Sequence, residues 1–344
     1  MPPQLNRRAA LGLGATAAAG VVLSSTAVAS ADETEPGQAP PEPTPTTPEQ
    51  ARKRVGKVYQ RETTRAAGIW NSLITVAEPD GTLASAAVED KADERVEAYS
   101  VNKIAVATAV LDKIDRGLLR LDQRVDVTAD IVATTGDGIF RLDRAYPSSI
   151  TLGHVMANLL SVSDDTSVRL CGLACPAKEV NEILVAKGFP QTQVTPVANP
   201  NRFFLGTTTP RGTHDLLQAL VKGTLLSATS TSFLLNILRS PVAFTDGIRR
   251  TMSSDERVRV ATKAGWFLDG RNEAGIMFDA TGRPILTYSL FARGQANPDN
   301  FGATHPAVQA RAVMGRKFLD AVDRLGGVAT LRTSVPTYRP FNGG

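Results

Sequence analysis

Cysteine and histidine are scarce in this 344-residue chain, which holds two of the first and three of the second. Two cysteines cannot staple a core, so a small disulfide framework is excluded. Cys171 and Cys175 have none of His154, His214 and His305 at ligand spacing, which argues against a metal centre. HExxH, a P-loop and GxGxxG are all missing, and no cofactor is implied. No Lys/Arg-rich block stands behind the formal charge of +4, so nucleic acid is not an expected partner. What is present is ordinary globular composition, 42% hydrophobic and 21% charged. It excludes a wholly disordered chain or a collagen-like fibre. A chain of this length can bury a large core in one or two closely packed domains. The expected species is a monomer.

The N-terminus reads as an export signal over residues 1–31. Arg7 and Arg8 precede an apolar stretch of small residues that ends in Ala29-Ser30-Ala31, an A-x-A cleavage pattern. The stretch is too short and too rich in Gly and Ala for a membrane anchor. The arginine pair resembles a twin-arginine signal, read by the corresponding export machinery. No cysteine follows the run to take a lipid, and the mature chain is expected to begin near Asp32 in an extracytoplasmic bacterial compartment. Residues 32–46 are acidic and proline-dense, the composition of a solvated linker. A catalytic domain is expected over 47–327 and a tail over 328–344.

Within that domain the pattern predicts a helix from Pro48 to about Ala67, with Thr47 as its N-cap. A hairpin follows: Ile69–Val76, the turn Glu78-Pro79-Asp80-Gly81, and Thr82–Val88. Ile104–Leu111 is apolar on all sides and reads as a helix buried mid-domain. Further helices are expected over Thr151–Leu160, Pro176–Lys187, Thr213–Gly223 and Ser230–Leu238, with residues 189–206 as a long loop. Strands return at Arg257–Lys263, Ala274–Asp279 and Ile285–Ala292, and Pro306–Arg324 forms a last helix. This order suits an α+β fold, an antiparallel sheet assembled from both chain ends around a helical insertion at about 100–240. One turn apart on a helix, Cys171 and Cys175 could pair as a disulfide or stay as two small buried thiols; the spacing leaves both open.

Three short motifs carry chemistry. Ser100-Val101-Asn102-Lys103 is S-x-x-K at the head of the buried helix, where both side chains share one face. A lysine whose pKa is lowered by burial can take the serine proton and turn the hydroxyl into a nucleophile. Ser163-Asp164-Asp165 follows a second helix, and Lys263-Ala264-Gly265 lies on a strand. S-x-x-K, S-D-N and K-T-G occur in that order in class A β-lactamases and penicillin-binding proteins. Through these motifs the chain resembles the class A β-lactamase family, over roughly residues 65–325. Ala92-Asp93-Glu94-Arg95, Gly136-Asp137-Gly138-Ile139 and Thr207-Thr208-Thr209-Pro210-Arg211 are similar to family stretches as well. The resemblance implies the β-lactamase-like fold and an acyl-enzyme on Ser100, with Lys103 as base or relay. It implies that Ser163 passes a proton to the leaving group while Lys263 holds Ser163 and substrate electrostatically. It also implies an oxyanion hole from the N–H groups of Ser100 and Trp266. Asp165, Gly265 and Trp266 would then line the substrate site. Arg249 reads either as a carboxylate-binding arginine or as a surface residue beside Arg250.

Departures from the family pattern bear on turnover. Asp165 stands where the second motif has asparagine, Ala264 replaces a hydroxyl residue, and Trp266 puts a large ring where the family has a small one. Residues 189–206 contain no Asp or Glu, whereas the family uses a glutamate there to activate the deacylating water. Neither Ala198 nor Asn199 can serve as that base. Glu179 and Glu182 lie on the preceding helix as surface charges, and Glu273 occupies an acidic position shared with actinobacterial β-lactamase-like serine hydrolases. Three functions follow: a true β-lactamase, a slow acyl-enzyme former on D-alanyl peptides or esters, or a non-catalytic binder of cell-wall peptide or β-lactams.

Overall fold

A computed structural model describes residues 43–78, 85–325, 339 and 341–343. The export signal, linker residues 32–42, turn residues 79–81 and nearly all of the tail lie outside the described residues.

Helix α1 (Pro48–Ala66) starts as its sequence dictates. Thr47 accepts from the Gln50 N–H, and Pro48 occupies the first turn, where its missing N–H costs nothing. Strands β1 (Ile69–Val76) and β2 (Ser85–Asp90) form the antiparallel hairpin. The chain then runs through β3 (Val96–Glu97), a 3-10 turn at Tyr99–Asn102 and α2 (Lys103–Asp115). Every residue of α2 from Lys103 to Leu111 is buried, as an all-round apolar helix requires. Next come β4 (Arg124–Val127), α3 (Phe140–Asp143), β5 (Ser148–Thr151), α4 (Leu152–Ser161), α5 (Asp165–Ala174) and α6 (Ala177–Ala186). Strands β6 (Gln193–Pro196) and β7 (Phe203–Thr208) lead to α7 (Pro210–Val221), α8 (Ala228–Leu238) and the single turn α9 (Ser254–Arg257). Strands β8 (Val260–Phe267), β9 (Gly270–Phe278) and β10 (Pro284–Arg293) precede the closing helix α10 (Pro306–Val322).

The five-stranded sheet has the order β2-β1-β10-β9-β8, so β1 from one end of the chain pairs with β10 from the other. Alternation along β10 sends Leu286, Tyr288, Leu290 and Ala292 toward α1 and α10, while Phe291 joins the core of the helical part. Both faces are therefore covered, which is why β9 is buried along its whole length.

The structure alters the sequence expectation at two places, adds a ladder at a third and decides between the two cysteine readings. The long loop at 189–206 contains β6 and most of β7, which form a three-stranded sheet with β3. Their pairing partner Val96 is remote in sequence. The buried Asn102 side chain ties the arrangement down by donating to the carbonyls of Leu205 (2.7 Å) and Thr207 (3.2 Å). The short β4–β5 ladder carries too little alternation to read from sequence. Strand β8 begins at Val260 rather than Arg257, because Ser253 and Glu256 form a reciprocal capping box that opens a helical turn. Cys171 ends inside α5 and Cys175 caps it; both are buried free thiols, and burial pushes each up to about 12.

Candidate active site

Two unusual backbone conformations set the stage. Tyr99 lies in the left-handed region at φ 49°, its ring against Phe267, and this bend delivers Ser100 to the head of α2. Ser163 is left-handed too, at φ 58°, in the bend between α4 and α5. Asp164 fixes the bend. One oxygen accepts from the Ser167 N–H (2.8 Å) as the α5 N-cap, and the other accepts from Ile139 (2.6 Å) and Phe140 (3.2 Å). The Gly136–Ile139 loop is thereby pinned beside Asp165. Gly138 has φ 110°, and a Cβ there would meet the Asp164 carboxylate at 2.0 Å.

Strand β8 brings up the third motif. A Cβ on Gly265 would lie 2.7 Å from the Ser100 nitrogen and 2.8 Å from that of Val101, so only glycine lets the strand approach the nucleophile's turn. Lys103, fully buried, donates from Nζ to Ser163 Oγ (3.1 Å), to the Ser163 carbonyl and to Asp165 Oδ1 (2.8 Å). Lys263 donates to the same Ser163 Oγ (3.0 Å) and to the Ala264 carbonyl (2.7 Å). Ser163 Oγ thus accepts from both lysines, which leaves its own hydrogen free to donate outward. Burial lowers the Lys103 pKa, and the Asp165 carboxylate opposes that. Lys263 is driven further down, by burial and then by the charge of Lys103. Two buried amines held below their ordinary range on the Ser163 hydroxyl are placed to accept and return protons.

Trp266 divides the cleft. On one side lies a cavity of about 480 Å³ lined by Ser100, Asp137, Asp165, Arg169, Phe203 to Gly206 and Phe267. On the other lies one of about 210 Å³, lined by Ser163, Lys263, Val242, Phe244 and Asp246. The Trp266 ring, packed on Phe244 at 5.4 Å, borders both.

The structure brings together Ser100, Lys103, Ser163, Lys263, Asp165, Gly265 and Trp266, but not Arg249. Arg249 is neither at the surface nor in the cleft. Its buried guanidinium donates to the carbonyls of Val260 (2.7 Å), Ser240 (2.8 Å) and Leu238 (3.3 Å), which leaves a substrate carboxylate no access. It is a strut between the α8 end and β8. Glu273 also lies outside the cleft, buried on β9, where it accepts from Thr262 Oγ1 (2.7 Å) and sits 3.7 Å from Arg311. Glu179 pairs with Lys113, and Glu182 lies 3.6 Å from Lys178, both on α6. Ala198 and Asn199 are exposed in the β6–β7 turn, and from this segment Phe203, Phe204 and Leu205 line the cavity that also holds Ser100.

Sequence reasoning passed over Asp137 as a functional group, although its Gly-Asp-Gly-Ile setting was visible. Its N–H donates to Asp165 Oδ2 (3.0 Å), its carbonyl accepts from the Asp165 N–H (3.1 Å), and its carboxyl lines the larger cavity. Burial raises its pKa, and the neighbouring Asp165 charge adds to that.

Comparison with known proteins fits this geometry. The β-lactamase from Sphaerobacter thermophilus superposes with a TM-score of 0.65 at 20% identity, covering 78% of this chain and 96% of its own. An ancestral class A β-lactamase gives 0.63 at 19% identity, covering 79% and 100%. A variant of PBP-A, solved as an acyl-enzyme complex with penicillin G, gives 0.60 at 18% identity, covering 77% and 96%. At such identities the likeness establishes the fold, that of the class A β-lactamases. The model of the β-lactamase enzyme family matches residues 79–322, and the chain belongs to that family. A comparison with curated proteins finds no match.

Proposed function

We propose that this chain is an exported active-site serine hydrolase that forms an acyl-enzyme on Ser100 and releases it slowly. The observation that carries the reading is the meeting of Lys103, three residues after Ser100, and Lys263 on the hydroxyl of Ser163. In the mechanism Lys103 takes the Ser100 proton, Ser100 Oγ bonds to the acyl carbon, and Ser163 passes a proton to the leaving atom. Lys263 holds Ser163 in place. The N–H groups of Ser100 and Trp266, kept close by Gly265, stabilise the oxyanion. Slow release is supported by the lack of Asp and Glu in residues 189–206, whose share of the Ser100 cavity is Phe203 to Gly206. Export rests on the Arg7-Arg8 segment and its Ala29-Ser30-Ala31 site.

Intact-protein mass spectrometry after incubation with a penicillin, run beside a nitrocefin hydrolysis rate, tests the reading. A persistent adduct on Ser100 is the expected result. Turnover without an adduct makes the chain a true β-lactamase, and neither adduct nor turnover removes the acyl-enzyme assignment for β-lactams. The mass of the secreted form checks cleavage before Asp32.

A further inference from the structure

Resting on that acyl-enzyme reading, the two-lobed cleft assigns a substrate class. The two serines open on different sides of Trp266. Ser100, which bonds to the acyl carbon, lines the cavity of about 480 Å³; Ser163, which protonates the leaving atom, lines the one of about 210 Å³. The larger side is therefore the acyl side, and the smaller one receives the leaving group.

Each lobe has a distinct chemistry. The acyl lobe is walled by Tyr99, Val168, Phe203, Leu205 and Trp266, with Phe204 and Phe267 at its mouth and Glu97, Asp137, Asp165 and Arg169 as its polar lining. Phe204 is 70% exposed and Phe267 58% exposed, so two large rings stand in water until something apolar covers them. The leaving-group lobe is small, roofed by the Trp266–Phe244 contact and bordered by the Asp246 carboxylate. Its one lining cation, Lys263, already donates to Ser163 and Ala264, and Arg249 is turned away into the core. A carboxylate on the leaving group would meet Asp246 and no uncommitted cation.

We propose that the cleft is built for acyl esters or thioesters with a bulky apolar acyl group, aryl or branched alkyl, and a small uncharged leaving group. In the reaction the bond from the acyl carbon to the leaving oxygen or sulfur breaks as the Ser100 Oγ–carbon bond forms. The Ser100 proton travels through Lys103 and Ser163 to the leaving atom. Water then forms the acid as the Ser100 ester bond breaks, and its other proton returns to Ser100.

Four thioesters test this: the S-methyl and thioglycolate esters of 3-phenylpropanoic and acetic acids. Thiol release by the full chain gives kcat/KM for each, with Ser100→Ala as the background. The phenylpropanoyl methyl thioester should exceed its acetyl counterpart by about 30-fold, as expected if roughly 80 Å² of aryl surface leaves water. The methyl esters should outrun the thioglycolates. Phe204→Ala, a change at an exposed side chain, should shrink the phenylpropanoyl-to-acetyl ratio, and Asp246→Asn should narrow the methyl-to-thioglycolate ratio. Equal rates for the two acyl groups, or faster thioglycolates, would overturn the proposal. If penicillin labels Ser100 while no thioester does, the substrate class falls and the acyl-enzyme reading stands. If nothing labels Ser100, both fall.

Discussion

Replacing Gly265 with alanine should separate catalysis from stability. The new methyl would lie 2.7 Å from the Ser100 nitrogen, 2.8 Å from that of Val101 and 3.1 Å from the Ala98 carbonyl. Ordinary contacts begin near 3.4 Å, and all three obstacles are backbone, so no side chain can swing aside. The strand and the turn must part by about half an ångström or more, a shift of the size produced by overpacking, which costs about 1–3 kcal/mol. In a domain this large, melting should drop by about 2–4 °C for each of those kcal/mol. The displaced atoms, however, are the Ser100 N–H and the backbone leading to the Trp266 N–H. Loss of one oxyanion donor lowers turnover by about 10²–10³-fold. The second-order rate of Ser100 acylation by an activated ester should fall by that factor in protein that is still folded by circular dichroism. Gly302→Ala, whose methyl would make one ordinary contact at 3.7 Å, is the control and should change neither quantity. Acylation of folded Gly265→Ala at the native rate would refute the idea that this strand and the nucleophile's turn together form the oxyanion site.

Ser100→Ala and Lys103→Ala should each abolish acylation by β-lactams and activated esters; mass labelling of Lys103→Ala at the native rate would remove that lysine from the base role. Asp165→Asn bears on pH. The Asp165 carboxylate favours the charged form of Lys103, with Asp137 and Asp164 adding smaller effects of the same sign. Removing it stabilises the free amine, so the acidic limb of the acylation pH–rate profile should move to lower pH, and an unmoved limb would refute the coupling. If penicillin acylates the protein, stopped-flow traces should show a burst equal to the enzyme concentration. General-base assistance is worth about 10²–10⁴-fold, so the steady state that follows should be slow, whereas burst-free hydrolysis would mean that another group activates water.

The chemistry was more legible in the sequence than the surroundings that tune it. Ser100, Lys103, Ser163 and Lys263 stood out because each motif is local and its residue types announce a role. A sheet drawn from both ends of the chain followed from the strand patterns, while the pairing of β1 with β10 is read from the fold. The loop at 189–206 was misread because β7 owes its order to Val96 and Asn102, neither of which is near it in sequence. Arg249 read as either a substrate ligand or a surface arginine because spacing cannot reveal that its donors face backbone carbonyls. In the sequence Asp165 reads only as a departure from the asparagine of the second motif, and the fold shows that it pairs with Lys103 at 2.8 Å.

The sheet's closure across the chain ends has a kinetic consequence. Ile69 aligns with Arg293, and Lys263 reaches Ser163 only when β8 has been added to β9 and β9 to β10. The β1–β10 pairing joins residues far apart in sequence, and such non-local contacts slow folding. A growing or truncated chain that stops short of Pro284 has its lysine strand but lacks β10, the strand through which β8 and β9 join β1. Such a chain is expected to react slowly with an acylating probe until β10 joins the two ends of the sheet.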